Sequence, residues 1–178
     1  GIKPIIGCEV YVAARTRFDK DPERDRGMFH LILLAENMTG YKNLTKIVSI
    51  GFTEGFYFKP RVDKEVLREH SEGIICLSAC LAGAIPRKIL GGDYSGAEAE
   101  AIELQEIFGK DNFFLEIQNH FLDEDKAVTE GLVRLAKEIG APLVATNDAH
   151  YIKRSDAKAH DVLLAIQTGT TVDDENRM

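Results

Sequence analysis

The chain has 178 residues, 44% of them hydrophobic and 29% charged, with a net charge of −7, which is enough for one domain with a real core. That acidic balance excludes a chain that wraps duplex DNA by itself, because phosphate contacts need clustered Lys and Arg, but it leaves room for part of a larger nucleic-acid enzyme. No apolar run approaches the roughly 18 residues of a membrane span, no signal peptide is expected, and Cys8, Cys76 and Cys80 lack a scaffold spacing and read as reduced and intracellular.

Pro4 to Ala13 reads as a buried strand, rich in β-branched residues. Arg15 to Gly27 is a dense mixed-charge stretch, expected to be a mobile loop. Phe29 to Ala35 is a second buried strand. Asn37 or Thr39 is placed to cap a helix over Tyr41 to Ile50, with Leu44, Ile47 and Val48 on one face. Gly51 to Pro60 is aromatic and Gly-rich, hence a loop. Asp63 caps a short helix carrying Val66 and Leu67, and Gly73 to Ser78 is the third strand. Leu81 to Leu90 looks helical, with Pro86 either near its start or at a break. Gly91-Gly92-Asp93 separates it from a helix over Ser95 to Phe108. Asn112 to Gln118 is the fourth strand. Asp123 opens an amphipathic helix through Ile139, with Val128, Leu132, Leu135 and Ala136 inward and Gly140 as its stop. Ala141 to Thr146 is the fifth strand, and Ser155 is placed to cap a last helix over Asp156 to Gln167.

Strand followed by helix, repeated, predicts an α/β fold with a parallel sheet covered by helices. No Gly-rich nucleotide fingerprint follows any strand, so a closed or nearly closed barrel is favoured over a dinucleotide fold. In such barrels chemistry gathers at the C-terminal strand ends. Metal-competent residues lie at or beside several strand ends: Glu9, His30, Cys80, Glu116, His120, and the run Asn147-Asp148-Ala149-His150. If the backbone stays extended, Asp148 and His150 point to the same side and form half of a divalent-metal site. Zinc, manganese or iron suits such a mixture of donors.

Each of these residues also has a plainer reading. Cys8 and Cys76 sit on apolar strands and read as core, since free cysteine packs as a small hydrophobe. His30 is either a satisfied core histidine or a ligand. Glu116 pairs with a Lys or Arg or takes part in the site. His70 reads as surface, and His160 as a structural residue in the last helix. Glu9 is harder to dismiss, because a carboxylate inside an apolar strand needs a partner.

A set of ordered motifs reaches further than these residues. Gly7-Cys8-Glu9, Phe29-His30-Leu31, Leu34-Ala35-Glu36-Asn37, Gly40-Tyr41-Lys42-Asn43-Leu44, Tyr57-Phe58-Lys59-Pro60-Arg61, Leu77-Ser78-Ala79-Cys80-Leu81, Glu116-Ile117-Gln118-Asn119-His120 and Thr146-Asn147-Asp148-Ala149-His150-Tyr151 resemble the PHP (polymerase and histidinol phosphatase) domain of bacterial replicative DNA polymerase III alpha subunits. His160 to Gly169 fits the same family, so the resemblance covers essentially the whole chain. It implies an irregular, TIM-like β/α barrel holding up to three metal ions. By resemblance Glu9 is the bridging carboxylate, and His30, Cys80, Asp148 and His150 are further ligands. Glu9, Asp148 and His150 are the residues expected to carry catalysis, with His120, Asn147 and Glu116 behind them. The implied metals are zinc or manganese.

The resemblance also sets expectations about what lies outside the chain. The family's opening segment, with a His-x-His pair, is expected before Gly1, which leaves the barrel incomplete at its N-terminal strands. Residues 1–178 are thus expected to be a partial PHP domain. The polymerase palm, thumb and fingers, with their magnesium ions, are expected beyond Met178. The parent is then a DNA-directed DNA polymerase acting with DNA, deoxynucleoside triphosphates and other replicase subunits, among them the sliding clamp, the clamp loader and an exonuclease subunit, with no membrane. For this domain the implied chemistry is 3′–5′ proofreading hydrolysis. A stand-alone phosphoesterase acting on a small phosphate ester, such as histidinol phosphate, is the alternative enzyme. A non-catalytic platform for the polymerase is the third reading. The isolated chain is expected to show neither polymerase nor robust nuclease activity.

Overall fold

The computed structural model describes residues 1–174. They form two compact units, one up to Thr146 and one from Asn147 onward, each described by itself below. The first unit is built on a six-stranded sheet in the order β3-β1-β2-β4-β5-β6. β1 is Gly7–Ala13, β2 Met28–Ala35, β3 Arg61–Val62, β4 Ile74–Leu77, β5 Phe113–Ile117 and β6 Leu143–Ala145.

The sheet is mixed, which corrects the expectation of an all-parallel one. β1 and β2 are antiparallel, and so are β2 and β4. β1/β3, β4/β5 and β5/β6 are parallel. The reason lies in the first connection. Residues 14–27 carry no helix, and without a crossover element neighbouring strands return antiparallel. Because β2 runs the other way, its first residues lie at the same end of the sheet as the C-terminal ends of the other five strands. His30 reaches that end from the start of its strand. The order runs from β3 at one side to β6 at the other, and the ladders of the described residues contain no pair that closes a barrel.

Local sequence explains most helix ends. The helix α1, Met38–Thr53, is capped by Asn37, whose side chain accepts from the Gly40 N–H at 3.0 Å; Thr39 lies inside the helix. It takes in Gly51 to Thr53, which the sequence assigns to a loop. α2, Lys64–Glu69, is capped by Asp63 as expected, and half-buried His70 ends it. α3, Ala84–Leu90, carries Pro86 in its first turn, where the missing N–H has no helical partner to lose. α4 is Tyr94–Phe108 and α5 is Asp123–Ile139. α5 stops at Gly140, which adopts the left-handed conformation (φ 67°). In the second unit α6, Ala157–Thr168, follows a 3-10 turn over Arg154–Asp156. Ser155 lies inside that turn and bonds Asp156 at 3.2 Å, so it is not the helix cap.

The first unit's core is one cluster. Leu33, Ile47, Val66, Leu67, Ile74, Cys76, Phe113, Leu115, Leu132 and Leu135 are fully buried, and burial of a side chain of this size is worth about 1.5–3 kcal/mol. Cys76 is core, as expected, while Cys8 is only partly buried against it. β1 is not buried throughout: Gly7 and Glu9 are exposed.

The charged stretch over residues 15–27 is tied down rather than loose. Arg15 holds Asp25 with two hydrogen bonds. Arg17 reaches Glu54, Asp63 and Glu65. Arg61 is fully buried and donates to the backbone carbonyls of Gly55, Asp25, Arg17 and Asp19, at 2.8–3.2 Å, with its guanidinium 5.0 Å from the Tyr57 ring centre. A planar five-donor fork suits four carbonyls from three chain segments.

Candidate metal centre

The antiparallel register of β1 and β2 sets Glu9 opposite Ile32 and Tyr11 opposite His30. Partners across a ladder, and residues two apart on a strand, share a face, so Glu9, Tyr11 and His30 lie together. The Glu9 carboxylate makes a close contact with His30 Nδ1. The Tyr11 ring meets the imidazole edge-on, with centres 5.2 Å apart. Glu9 is 41% exposed at its side chain, because it sits on the uncovered face of its strand. The expectation of a buried carboxylate there is corrected.

Cys80 arrives from another strand. Beyond β4 the chain turns through Ser78, Ala79 and Cys80, with Ala79 in the left-handed region (φ 65°). Three hydrogen bonds fix this turn. The Glu116 N–H donates to Ser78 Oγ at 2.8 Å, the Gly83 N–H to Cys80 O at 2.8 Å, and the His30 N–H to Ala82 O at 3.2 Å. The result places Cys80 Sγ 3.6 Å from His30 Nδ1, the same nitrogen that meets Glu9. One oxygen, one nitrogen and one sulfur donor from β1, β2 and the β4 tip thus stand together, and zinc takes all three donor types. They meet at one ring nitrogen, and among the described residues no group of three His, Cys, Asp or Glu side chains surrounds a common point for an ion.

The other cysteines have different surroundings. Burial pushes the Cys76 thiol well up, and the Glu116 charge adds to it; burial followed by Glu9 raises Cys8. Thiols held protonated in this way are poor ligands. Glu116 is 5% exposed. Its Oε1 accepts from Thr146 Oγ1 at 2.5 Å and from Gln118 Nε2 at 3.2 Å, so its partners are a hydroxyl and an amide rather than Lys or Arg. Its Oε2 is buried without a hydrogen-bond partner among the described residues. His120 stands exposed beyond β5, its N–H donating to Asp125 at 2.6 Å, next to Phe121 at φ 64°.

In the second unit Asn147, Asp148 and His150 are exposed. Asp148 is left-handed (φ 47°), so the segment is not extended and the alternation argument for Asp148 and His150 does not hold. The turn instead brings His150 Nδ1 to 2.8 Å from Asp148 O. His160 packs its ring against His150 and Tyr151, with centres 5.7 and 5.3 Å away.

Sequence reasoning missed Tyr11, Ser78, Gln118 and Thr146 as supports of these residues. It also missed a shared backbone feature. Ala79, Phe121 and Asp148 follow β4, β5 and β6, and with Phe58 they are the non-glycine residues at positive φ among the described residues. Such conformations cost about 1–3 kcal/mol and gather where function fixes the chain.

Comparison with known proteins gives a consistent result. The pattern of the PHP domain family matches residues 1–120. The chain is 53% identical to the DNA polymerase III subunit alpha of Thermus aquaticus, over 99% of its own length and 15% of that protein. It is 50% identical to the same subunit of Treponema pallidum, over 100% of its length and 15% of that protein. For Borreliella burgdorferi the figures are 48%, 100% and 16%. The chain thus spans about 15% of the length of these relatives.

Proposed function

This chain belongs to the PHP domain family, and on that premise we propose that it is the PHP portion of a bacterial replicative DNA polymerase III alpha subunit, folded toward that family's β/α barrel, with a divalent-metal phosphoesterase centre. The near-complete overlap with three alpha subunits at 48–53% identity supports the placement in a polymerase. The whole protein would then join deoxynucleotides to a primer through magnesium chemistry outside this chain, on DNA and with other replicase subunits such as clamp, clamp loader and exonuclease.

The contact of Glu9, His30 and Cys80 carries the phosphoesterase reading. The donor set, with its soft sulfur, fits zinc by its chemistry and manganese only by resemblance, and the proposed ligands are these three, with Asp148 and His150 by resemblance. When bound, such ions supply Lewis-acid polarisation of a phosphodiester oxygen. The chain's own residues do the positioning. Glu9 fixes the His30 ring, Tyr11 packs its edge, and the Glu116–Ser78 hydrogen bond holds the turn that presents Cys80. In this reading the reaction is 3′–5′ hydrolysis of a mispaired primer end.

One observation favours a second reading, a structural platform without chemistry: among the described residues no three candidate side chains enclose an ion. Elemental analysis decides between the two. The purified protein should hold zinc or manganese, and Cys80→Ser and Glu9→Gln should lose it in step with hydrolysis of a 3′-mismatched primer while primer extension persists. Metal content unchanged in both variants would end the phosphoesterase reading.

A further inference from the structure

Glu116 spends only half of its carboxylate. Oε1 takes two hydrogen bonds, from Thr146 and Gln118, while Oε2 is buried without a partner among the described residues. Leaving a buried acceptor in that state is costly, because its desolvation is not repaid by a hydrogen bond. Ala79, Cys80, Glu116, Gln118 and Asp125 line a small cavity of about 10 Å³. A space of that size takes one water, provided two to four polar groups face it. Leu81, Pro86 and Val128 make the rest of the lining apolar, and its polar part is mostly acceptors: the carboxylates of Glu116 and Asp125, and the oxygen of Gln118, whose Nε2 already donates to Glu116 and Thr146. Water can donate twice into such a set.

We propose that Glu116 is a positioning residue for Cys80: its free carboxylate oxygen binds one water in the cavity that Cys80 lines, and together they set the Ser78-Ala79-Cys80 turn. Three features bear on this. Glu116 and Cys80 line the same cavity. The Glu116 backbone already holds Ser78 Oγ, so β5 and the turn are joined at a second point. Ala79, between the two, keeps a conformation that an alanine leaves unless its neighbours hold it there. Glu116 is not offered as a ligand, since it acts through the placement of Sγ.

The metal arm of the test rests on the phosphoesterase reading, so the experiment carries a second arm that does not. The probe for the first is cobalt(II) in the purified full-length protein, followed by the thiolate-to-cobalt charge-transfer absorption. Glu116→Leu should weaken cobalt binding about 10–100-fold, the usual loss when an outer partner of a ligand is removed. Glu116→Gln should keep near-native affinity, because an amide still binds the water. The second arm is the rate at which iodoacetamide alkylates Cys80 in metal-free protein, read by peptide mass spectrometry with Cys8 as internal reference. Glu116→Leu should change the Cys80 rate severalfold and leave Cys8 alone, and a high-resolution crystal structure should show the water on Oε2. An absent cobalt band in the unaltered protein defeats the metal reading only; alkylation and crystallography then judge the water. Unchanged alkylation in Glu116→Leu, equal losses in Glu116→Gln and Glu116→Leu, or an Oε2 bonded to a protein donor overturns the proposal.

Discussion

Arg15 grips Asp25 through two hydrogen bonds, Nε to Oδ1 at 2.9 Å and Nη2 to Oδ2 at 2.6 Å, and the carboxylate it holds is 1% exposed while the arginine side chain is 45% exposed. The same carboxylate accepts the Asp21 N–H at 2.7 Å. One residue thus closes the 15–27 loop on itself.

That arrangement fixes a pH dependence. The Arg15 hydrogen bonds, set against burial, hold the Asp25 carboxyl below its ordinary range, with the Asp21 N–H and the charge of Arg61 helping. A carboxyl with a depressed folded pKa stabilises the fold above its unfolded pKa, and that contribution is lost as pH falls through the folded value. Asp25→Asn should therefore lower the urea midpoint at neutral pH and flatten the acid limb of a stability–pH curve. An acid limb identical to that of the unaltered protein would show that the pair contributes nothing.

Arg61 predicts a larger effect at a single residue. Four carbonyls lose their donor if it is truncated, in a site without solvent. Arg61→Leu should cost about 3 kcal/mol or more, the scale for a broken buried network. Arg61→Lys should recover only part of that, since an ammonium cannot span the fork. Urea denaturation with both variants checks the ranking, and equal stability of the two argues against the fork.

Gly40 and Gly73 touch backbone to backbone. A Cβ on Gly40 would stand 1.8 Å from Gly73 O, which itself accepts the Glu36 N–H at 2.9 Å. Gly40→Ala should destabilise by about 1–3 kcal/mol through forced separation of α1 from the turn before β4, even though alanine is the better helix former. A neutral or higher thermal midpoint would mean that the turn yields freely.

On the proposed phosphoesterase reading, Asp148 should separate two activities. Asp148→Asn should reduce metal content and any 3′–5′ hydrolysis by about 10-fold or more, the usual scale for a lost ligand or its close partner, while primer extension changes little. Both rates are measured on one preparation. A parallel fall in extension would tie this segment to polymerisation instead.

The sequence was most legible where a pattern repeats. α5 carries Val128, Leu132, Leu135 and Ala136 on one face between Asp123 and Gly140, and its bounds were readable. Strand direction was not, because alternation and β-branching are the same in parallel and antiparallel strands, and β2 was misread for that reason. The 15–27 loop showed its charges but not their partners, which lie up to 48 residues away, as for Arg17 and Glu65. At the site, the donor types of Glu9, His30 and Cys80 were readable, but their meeting depends on a strand register. The turn at Asp148 was invisible, since no glycine marks it.

Ala79 carries a consequence for anyone who would evolve this protein in the laboratory. It is 2% exposed and sits at φ 65°, where glycine is at ease and alanine is not. Selection on heat resistance alone would push position 79 toward glycine, the gain coming from relief of that backbone strain, while the looser turn would let Cys80 wander. A library screened for melting temperature and for thiol placement together should split at this position, with the two criteria choosing different residues.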